Sequence, residues 1–381
     1  MTHNILYIHG FNSDKNSYCG NTLKNLFPQY NWILESFDLL DADATRHKIV
    51  HLLKQFEIDT VVSSSLGCIY NLFLKAVRSQ NRPMVNKILI NPCCFPSREL
   101  PKLDEIPYRA LEYCEAMEFN IYHRHEENSP DKLFGIFAKN DELLHYHDFF
   151  VNTYGAADGS NCIWVEGGHS HLAEEVLRDS MQQAMAYFDK VEANRKPEAP
   201  KPPQTNLADP ARPYRNPDPS KKPILYFDMD GTLVDFDSGK RRLDPVTRIK
   251  FNGCIDEAPH IFSLMDPMPG AIDAFIKLSK HFDVYILTTA SWRNLTACDD
   301  KKVWVQRYFG RNADSPAYKR LIISHRKELN MGEFLIDDRP TKCGADKFTG
   351  TVIPFGPQNK LFPDWDSVLR YLLAEKLEVR S

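Results

Sequence analysis

The chain has 381 residues, with 47 Lys plus Arg against 51 Asp plus Glu and a formal net charge of −4. That balance excludes electrostatic capture of a nucleic-acid polymer or an anionic membrane as the leading function, and the length suits two ordinary domains. No apolar run reaches 18 residues, so no spanning helix is expected. The nine cysteines are odd in number and contain no Cys-x-x-Cys pair. Adjacent Cys93 and Cys94 cannot close an ordinary disulfide, so free thiols in a reducing compartment are expected. A strand-like run begins at the fourth residue with no basic segment before it. Cytoplasmic localisation follows as the expectation.

In the first half, strand candidates occupy residues 4–10 (NILYIHG), 59–65 (DTVVSSS), 86–92 (NKILINP), 132–141 (KLFGIFAKND) and 162–168 (CIWVEGG). They alternate with helical stretches, the pattern of a parallel α/β sheet covered on both faces. Ligands of such sheets sit beyond the carboxyl ends of the strands. There, VVSSSLGCIYN (61–71) sets Ser65 in a strand-to-helix turn of Gly-x-Ser-x-Gly type, with Gly67 present but Ser63 at the near position.

A serine nucleophile needs a base, an acid to orient it and two N–H donors for the oxyanion. The chain offers them in α/β-hydrolase order. His9-Gly10-Phe11 ends the first strand, with the Phe11 amide as one donor and the Leu66 amide as the other. Asp141 follows an apolar strand as the acid. His169, directly after a glycine pair, is the expected base, with His171 as the alternative. Each feature alone also reads as a turn, a loop or a strand end.

Together these residues resemble the α/β-hydrolases, and in particular the small lidless YqiA-type bacterial esterases. The shared features are the HGFNS start, an SSLG elbow, Asn91-Pro92, an Asp-Glu loop and EGG before the histidine, over about residues 3–190. The resemblance implies a serine esterase acting on a small ester. Ser63 and Cys68 replace family glycines, and the histidine is displaced by one place. Those departures bear on catalysis more than on fold. The alternative is a catalytically lost domain that serves as a binding module.

Residues 194–222 change character. Nine of the 25 prolines fall between Asn194 and Pro223, with almost no large aliphatics, so an extended spacer is expected. It divides a domain at 1–193 from one at 223–381. No internal repeat relates the two.

Beyond it, strand candidates recur at 223–230 (PILYFDMD), 283–289 (DVYILTT), 320–325 (RLIISH), 332–338 (GEFLIDD) and 350–356 (GTVIPFG), giving a second α/β sandwich. Asp228 and Asp230 follow one strand, and Asp337 and Asp338 end another. Carboxylates so close together are costly unless a cation or a proton relieves them. Thr288 and Thr289 end a third strand, and Lys327 follows the next.

These four elements resemble the motifs of haloacid dehalogenase-like phosphatases, over about residues 222–378. DMDGTLVDF, DPMPGAIDAF, TTASW and HRKELNMGEFLIDDR resemble the 5′(3′)-deoxyribonucleotidase branch. The resemblance implies a Mg²⁺-dependent phosphomonoesterase acting on nucleoside 5′-monophosphates. It implies Asp228 as nucleophile, Asp230 as acid–base, and Thr288 and Lys327 on the phosphoryl oxygens, with Thr289 beside them. The metal would lie on Asp228, the Asp230 carbonyl and Asp338, supported by Asp337. Phe236 would pack against the base inside a small helical cap at 237–266, although Asp235 and Phe236 also read as a helix start and core. The family arginine two places before the lysine is His325 here, with Arg326 one along. The whole chain thus reads as a bifunctional hydrolase, with small-molecule partners, no nucleic-acid polymer and no membrane.

Overall fold

A computed structural model of the chain describes residues 3–74, 85–122, 128–194, 204, 206–218 and 220–374. They form two compact units: residues 1–198 with 244–253, and residues 199–243 with 254–381.

The first unit is built on six strands: β1 (Asn4–Ile8), β2 (Asn31–Leu34), β3 (Thr60–Ser64), β4 (Asn86–Ile90), β5 (Leu133–Ala138) and β6 (Cys162–Val165). They lie in the order β2-β1-β3-β4-β5-β6, with every pair parallel. The chain leaves β1 to one side for β2 and returns to the other for β3, so the strand order reverses beside β1. Alternate residues feed two cores: Leu6, Ile8 and Val61 on one face, Ile5, Tyr7 and Val62 on the other. β2 is absent from the sequence expectation, because a four-residue edge strand offers too few positions to show a period.

Helices cover both faces: α1 (Tyr18–Leu26), α2 (Ala42–Gln55), α3 (Gly67–Phe73), α4 (Pro96–Glu99), α5 (Tyr108–Tyr122), α6 (His147–Tyr154) and α7 (Glu174–Asn194). Residues 244–253 also belong to this unit. There Ile249 is buried in the core with Leu52 and Met117, and Asn120 donates to the carbonyls of Lys250 and Asn252 at 3.0 and 2.8 Å.

The second unit carries β7 (Ile224–Phe227), the short antiparallel pair β8 (Val234–Asp235) and β9 (Asp266–Pro267), then β10 (Asp283–Thr288), β11 (Leu321–Ile323), β12 (Phe334–Asp337) and β13 (Thr351–Pro354). Its five-stranded parallel sheet runs β11-β10-β7-β12-β13, with the order reversing at the central β7. Its helices are α8 (Phe236–Arg242), α10 (Ala271–Ser279), α11 (Ala297–Phe309) and α12 (Trp365–Leu372). The intervening α9 (Pro245–Lys250) is the helix taken into the first unit.

The described part of the proline-rich segment does not stand free as a spacer. Ala208 donates to Val352 O at 2.8 Å, Val352 to Asn206 O at 2.7 Å, and Tyr214 to Tyr371 O at 3.1 Å. A stretch poor in aliphatics has little surface to bury, yet its backbone pairs with the edge strand β13, where proline is tolerated, and with Tyr371 of α12.

Candidate active sites

In the first unit the elbow forms between β3 and α3. Ser65 has a φ of 49°, the left-handed region where non-glycine residues are uncommon, and this lifts its hydroxyl off the sheet. A Cβ on Gly67 would lie 2.4 Å from His9 O and 2.6 Å from Ile8 O, so only glycine lets α3 cross the end of β1. Ser63 instead faces inward and is fully buried. Its hydroxyl donates to Ile88 O at 3.2 Å, lies 3.4 Å from Cys68 Sγ and accepts from Asn71 Nδ2 at 2.9 Å. The two departures from family glycine therefore touch each other, and their polar atoms are paired.

Asp141 stands just past β5 and His169 just past β6. His169 Nδ1 lies 2.9 Å from Asp141 Oδ2, and His169 Nε2 lies 2.9 Å from Ser65 Oγ. Burial disfavours the charge on Asp141, but the His169 contact and the N–H groups of Leu144 and Leu143 at 2.8 and 2.9 Å hold its pKa below the ordinary value. An ionised Asp141 demands the proton on Nδ1, leaving Nε2 to accept from the serine hydroxyl. The alternative His171 is exposed and turned to Tyr18, with ring centroids 4.6 Å apart. His9, at the foot of the oxyanion loop, accepts from the Phe37 N–H at 2.9 Å and contacts Gly10 O at 2.9 Å. Leu66 is buried and Phe11 half-buried.

In the second unit, Asp228 leaves the end of β7, Thr288 the end of β10, and Asp337 and Asp338 the end of β12. One carboxylate oxygen from each of Asp228, Asp337 and Asp338 falls within 4.8 Å of the others. Lys327 Nζ lies 2.9 Å from Asp228 Oδ1 and 2.6 Å from Asp337 Oδ2. Burial opposes charge on Lys327, but the two aspartates hold its pKa above the ordinary lysine value. A Cβ on Gly231 would lie 2.5 Å from Asp338 Oδ2, so the missing side chain makes room for that carboxylate.

Three cations, Lys327, Lys301 and Arg339, face the four aspartates and do not balance them. Asp338 is pushed up to about 8, first by burial and then by the charge of Asp228. Burial also raises Asp337, and it raises Asp230 despite Lys301. Among the described residues, Asp338 Oδ1 and Asp230 Oδ1 are buried without hydrogen-bond partners. Clustered hard oxygen donors with excess negative charge fit a divalent cation such as Mg²⁺. The Asp230 carboxylate lies outside the trio, 2.7 Å from Lys301 Nζ.

Lys301 is a residue the sequence reading missed. It is fully buried, donates to Thr288 Oγ1 at 3.1 Å and lies over the Phe262 ring at 4.3 Å. The signal was present: buried positions 297, 300, 301, 304, 305 and 309 of α11 form one helical stripe, and Lys301 stands within it. Phe236 is half-buried beside Phe262, with centroids 6.2 Å apart, and Asp235 caps α8. His325 meets Trp292, and Arg326 pairs with Glu328. Thr289 is half-buried, and its carbonyl accepts from the Thr288 hydroxyl at 3.4 Å.

An α/β-hydrolase unit with a serine, a histidine and an aspartate in hydrogen-bond reach, joined to a haloacid dehalogenase-like unit with acidic strand ends, defines a two-domain α/β protein of hydrolase type. A family model described as "5' nucleotidase, deoxy (Pyrimidine), cytosolic type C protein" matches residues 254–377, and one described as an uncharacterised protein family, UPF0227, matches residues 4–189. A protein of Vibrio phage KVP40 that carries the 5′(3′)-deoxyribonucleotidase name is 53% identical over 154 residues, which are 40% of this chain and 86% of that protein. The human cytosolic-type 5′(3′)-deoxyribonucleotidase is 26% identical over 153 residues, covering 32% of this chain and 74% of that protein. The crystal structure of the ydeN gene product of B. subtilis aligns over 49% of this chain and all of its own, with 19% identity and a TM-score of 0.36. Through its second unit the chain belongs to the 5′(3′)-deoxyribonucleotidase family. Among the described residues, no helix is long and apolar enough to cross a membrane.

Proposed function

We propose that the chain is a bifunctional hydrolase: a Mg²⁺-dependent phosphomonoesterase acting on (deoxy)nucleoside 5′-monophosphates in the second unit, and a serine esterase for a small ester in the first. The observation that carries the first activity is the trio Asp228, Asp337 and Asp338 with two buried lysines around it. Asp228 attacks phosphorus and becomes the aspartyl phosphate, as the leaving oxygen takes a proton from Asp230. Burial, which holds the Asp230 pKa up, suits it to carry that proton. Asp230 then takes a proton from the water that hydrolyses the intermediate. Lys327, Lys301 and the Thr288 hydroxyl hold the phosphoryl oxygens. A magnesium ion on Asp228 and Asp338, with Asp337 behind them, would add positive charge against those oxygens. Phe236, half-buried against Phe262, offers an aromatic face for a base.

In the first unit, the Ser65 hydroxyl gives its proton to His169 Nε2 and attacks the ester carbonyl, while Asp141 steadies the imidazolium. The Leu66 and Phe11 amides are the proposed oxyanion donors. Two substitutions test the pair of readings. Asp228→Asn is expected to lower phosphate release from p-nitrophenyl phosphate and deoxynucleoside monophosphates with Mg²⁺ by at least about 1,000-fold; turnover near wild type would overturn the phosphatase assignment. Ser65→Ala is expected to abolish labelling by a fluorophosphonate probe. A wild-type chain that takes no label would leave the first unit as a binding module.

A further inference from the structure

Asn91, the residue after β4, has a φ of 44°, a left-handed turn that asparagine tolerates better than most side chains. It is 3% exposed, and its polar side-chain atoms are all engaged. Oδ1 accepts from the Ala138 N–H at 2.8 Å. Nδ2 donates to Gly168 O at 3.2 Å and to His169 O at 3.1 Å. Its own N–H donates to Ile136 O at 2.9 Å. Its neighbours grip the nucleophile: Ser65 N–H donates to Ile90 O at 3.0 Å, and Cys93 N–H to Ser65 O at 3.1 Å. The turn at 90–93 therefore touches the backbone of the serine, the backbone of the histidine and the strand that leads to Asp141.

We propose that Asn91 is the positioning residue of the Ser65 site, fixing the loop that carries His169 against the strand that carries Asp141; this rests on the serine-hydrolase reading above. The ring of His169 meets Ser65 only if its backbone is held. The backbone of that loop is also held by Asn140 N–H to Gly167 O at 3.1 Å, Gly168 N–H to His171 O at 3.3 Å, and His169 N–H to the exposed Glu142 carboxylate at 3.1 Å. The buried amide holds two carbonyls of that loop at once. Aspartate in its place has the same shape but presents an oxygen to two carbonyl oxygens, reversing the attraction. Glycine keeps the left-handed turn and deletes the clamp.

The test uses the full chain as wild type, Asn91→Asp and Asn91→Gly, with folding checked by near-ultraviolet circular dichroism. Two readouts are taken: the fluorophosphonate labelling rate at Ser65, and the downfield proton resonance of His169 Nδ1–H hydrogen-bonded to Asp141. The expected result is a labelling rate lowered about 100-fold in folded variants, together with loss of the downfield resonance. Retention of the resonance with labelling within twofold of wild type, in either folded variant, overturns the proposal. A wild type that shows the resonance but takes no label, with the resonance lost in the variants, supports the positioning role and sinks the esterase reading instead. A wild type without the resonance overturns the clamp itself.

Discussion

The two sites stand at the same address, beyond the carboxyl ends of parallel strands, and differ in how far their charges are already satisfied. Around Ser65, Asp141 has three donors, His169 has a partner on each ring nitrogen, and the Asp141 pKa is held low. Around Asp228, three of the aspartates have raised pKa values, and two buried carboxylate oxygens accept no hydrogen bond from the described residues. The first site is complete as the chain builds it, whereas the second lacks positive charge. The difference fits the two proposed chemistries: acyl transfer needs a relay of protons among neutral and paired groups, and phosphoryl transfer needs cations around an anion.

The sharpest way to break this contrast is to deepen the deficit. Lys301 is the fully buried cation between Asp230 and Thr288. Lys301→Met keeps the length and apolar stem but leaves Asp230 buried without its ion pair. Removing one partner of such a pair costs about 3–5 kcal/mol. Phosphate release is expected to fall about 100-fold, as when one preorganised donor to developing charge is lost. Steady-state rates with p-nitrophenyl phosphate and a thermal melt check both parts, while fluorophosphonate labelling at Ser65 is expected to stay within twofold. Unchanged phosphate release would remove Lys301 from the site.

A smaller effect separates the sites by pH. Asp338 is raised to about 8 when folded, against an ordinary value near 3.9. Between those values the folded chain keeps a proton that the unfolded chain has released, so metal-free stability falls as pH rises through that window and levels off above about 8. Asp141 runs the other way: its folded pKa is lowered, so its contribution is present above the unfolded value near 3.9 and is lost only as pH falls through the folded one. Melts in EDTA from pH 5 to 8 are therefore expected to show a declining transition for the second unit. Mg²⁺, which competes with the proton, is expected to raise that transition and to flatten its decline. A metal-free transition that is flat or rising over this range would contradict the charge deficit.

Much of both sites was legible because strand ends carry their chemistry in short runs. HGF, SSSLG, KND and GGH each sit at a β-strand terminus, as do DMD, TT and IDD. Their order along the chain, as in the two families, links them. What escaped lies on side chains whose partners come from distant segments. Lys301 reads locally as half of a charged Lys-Lys pair, and only the stripe from Ala297 to Phe309 marks it as buried. Asn91 shows only as half of the Asn91-Pro92 pair after a strand, with no role assigned, although its side chain reaches residues 77 and 78 positions away. The edge strand β2 is too short to show a period, and the packing of residues 206–214 rests on backbone pairing that composition does not encode.

The smallest expected effect bears on the feature that first set this elbow apart from its relatives. Ser63→Gly restores the family residue but removes the hydroxyl that accepts from Asn71 and faces Cys68. Asn71 Nδ2 still reaches Val61 O at 3.0 Å and Ile88 O at 3.4 Å, so no buried donor is orphaned. The loss is then one net hydrogen bond, about 1 kcal/mol, with a further fraction from glycine in a strand. Ser65 and His169 are untouched by the change, so fluorophosphonate labelling is expected to stay within about threefold of wild type, a shift under about 0.7 kcal/mol. A gain of tenfold or more would show that the hydroxyl strains the elbow rather than knitting it to Cys68. The first site's self-sufficiency would then be a feature of its polar groups alone and not of its backbone.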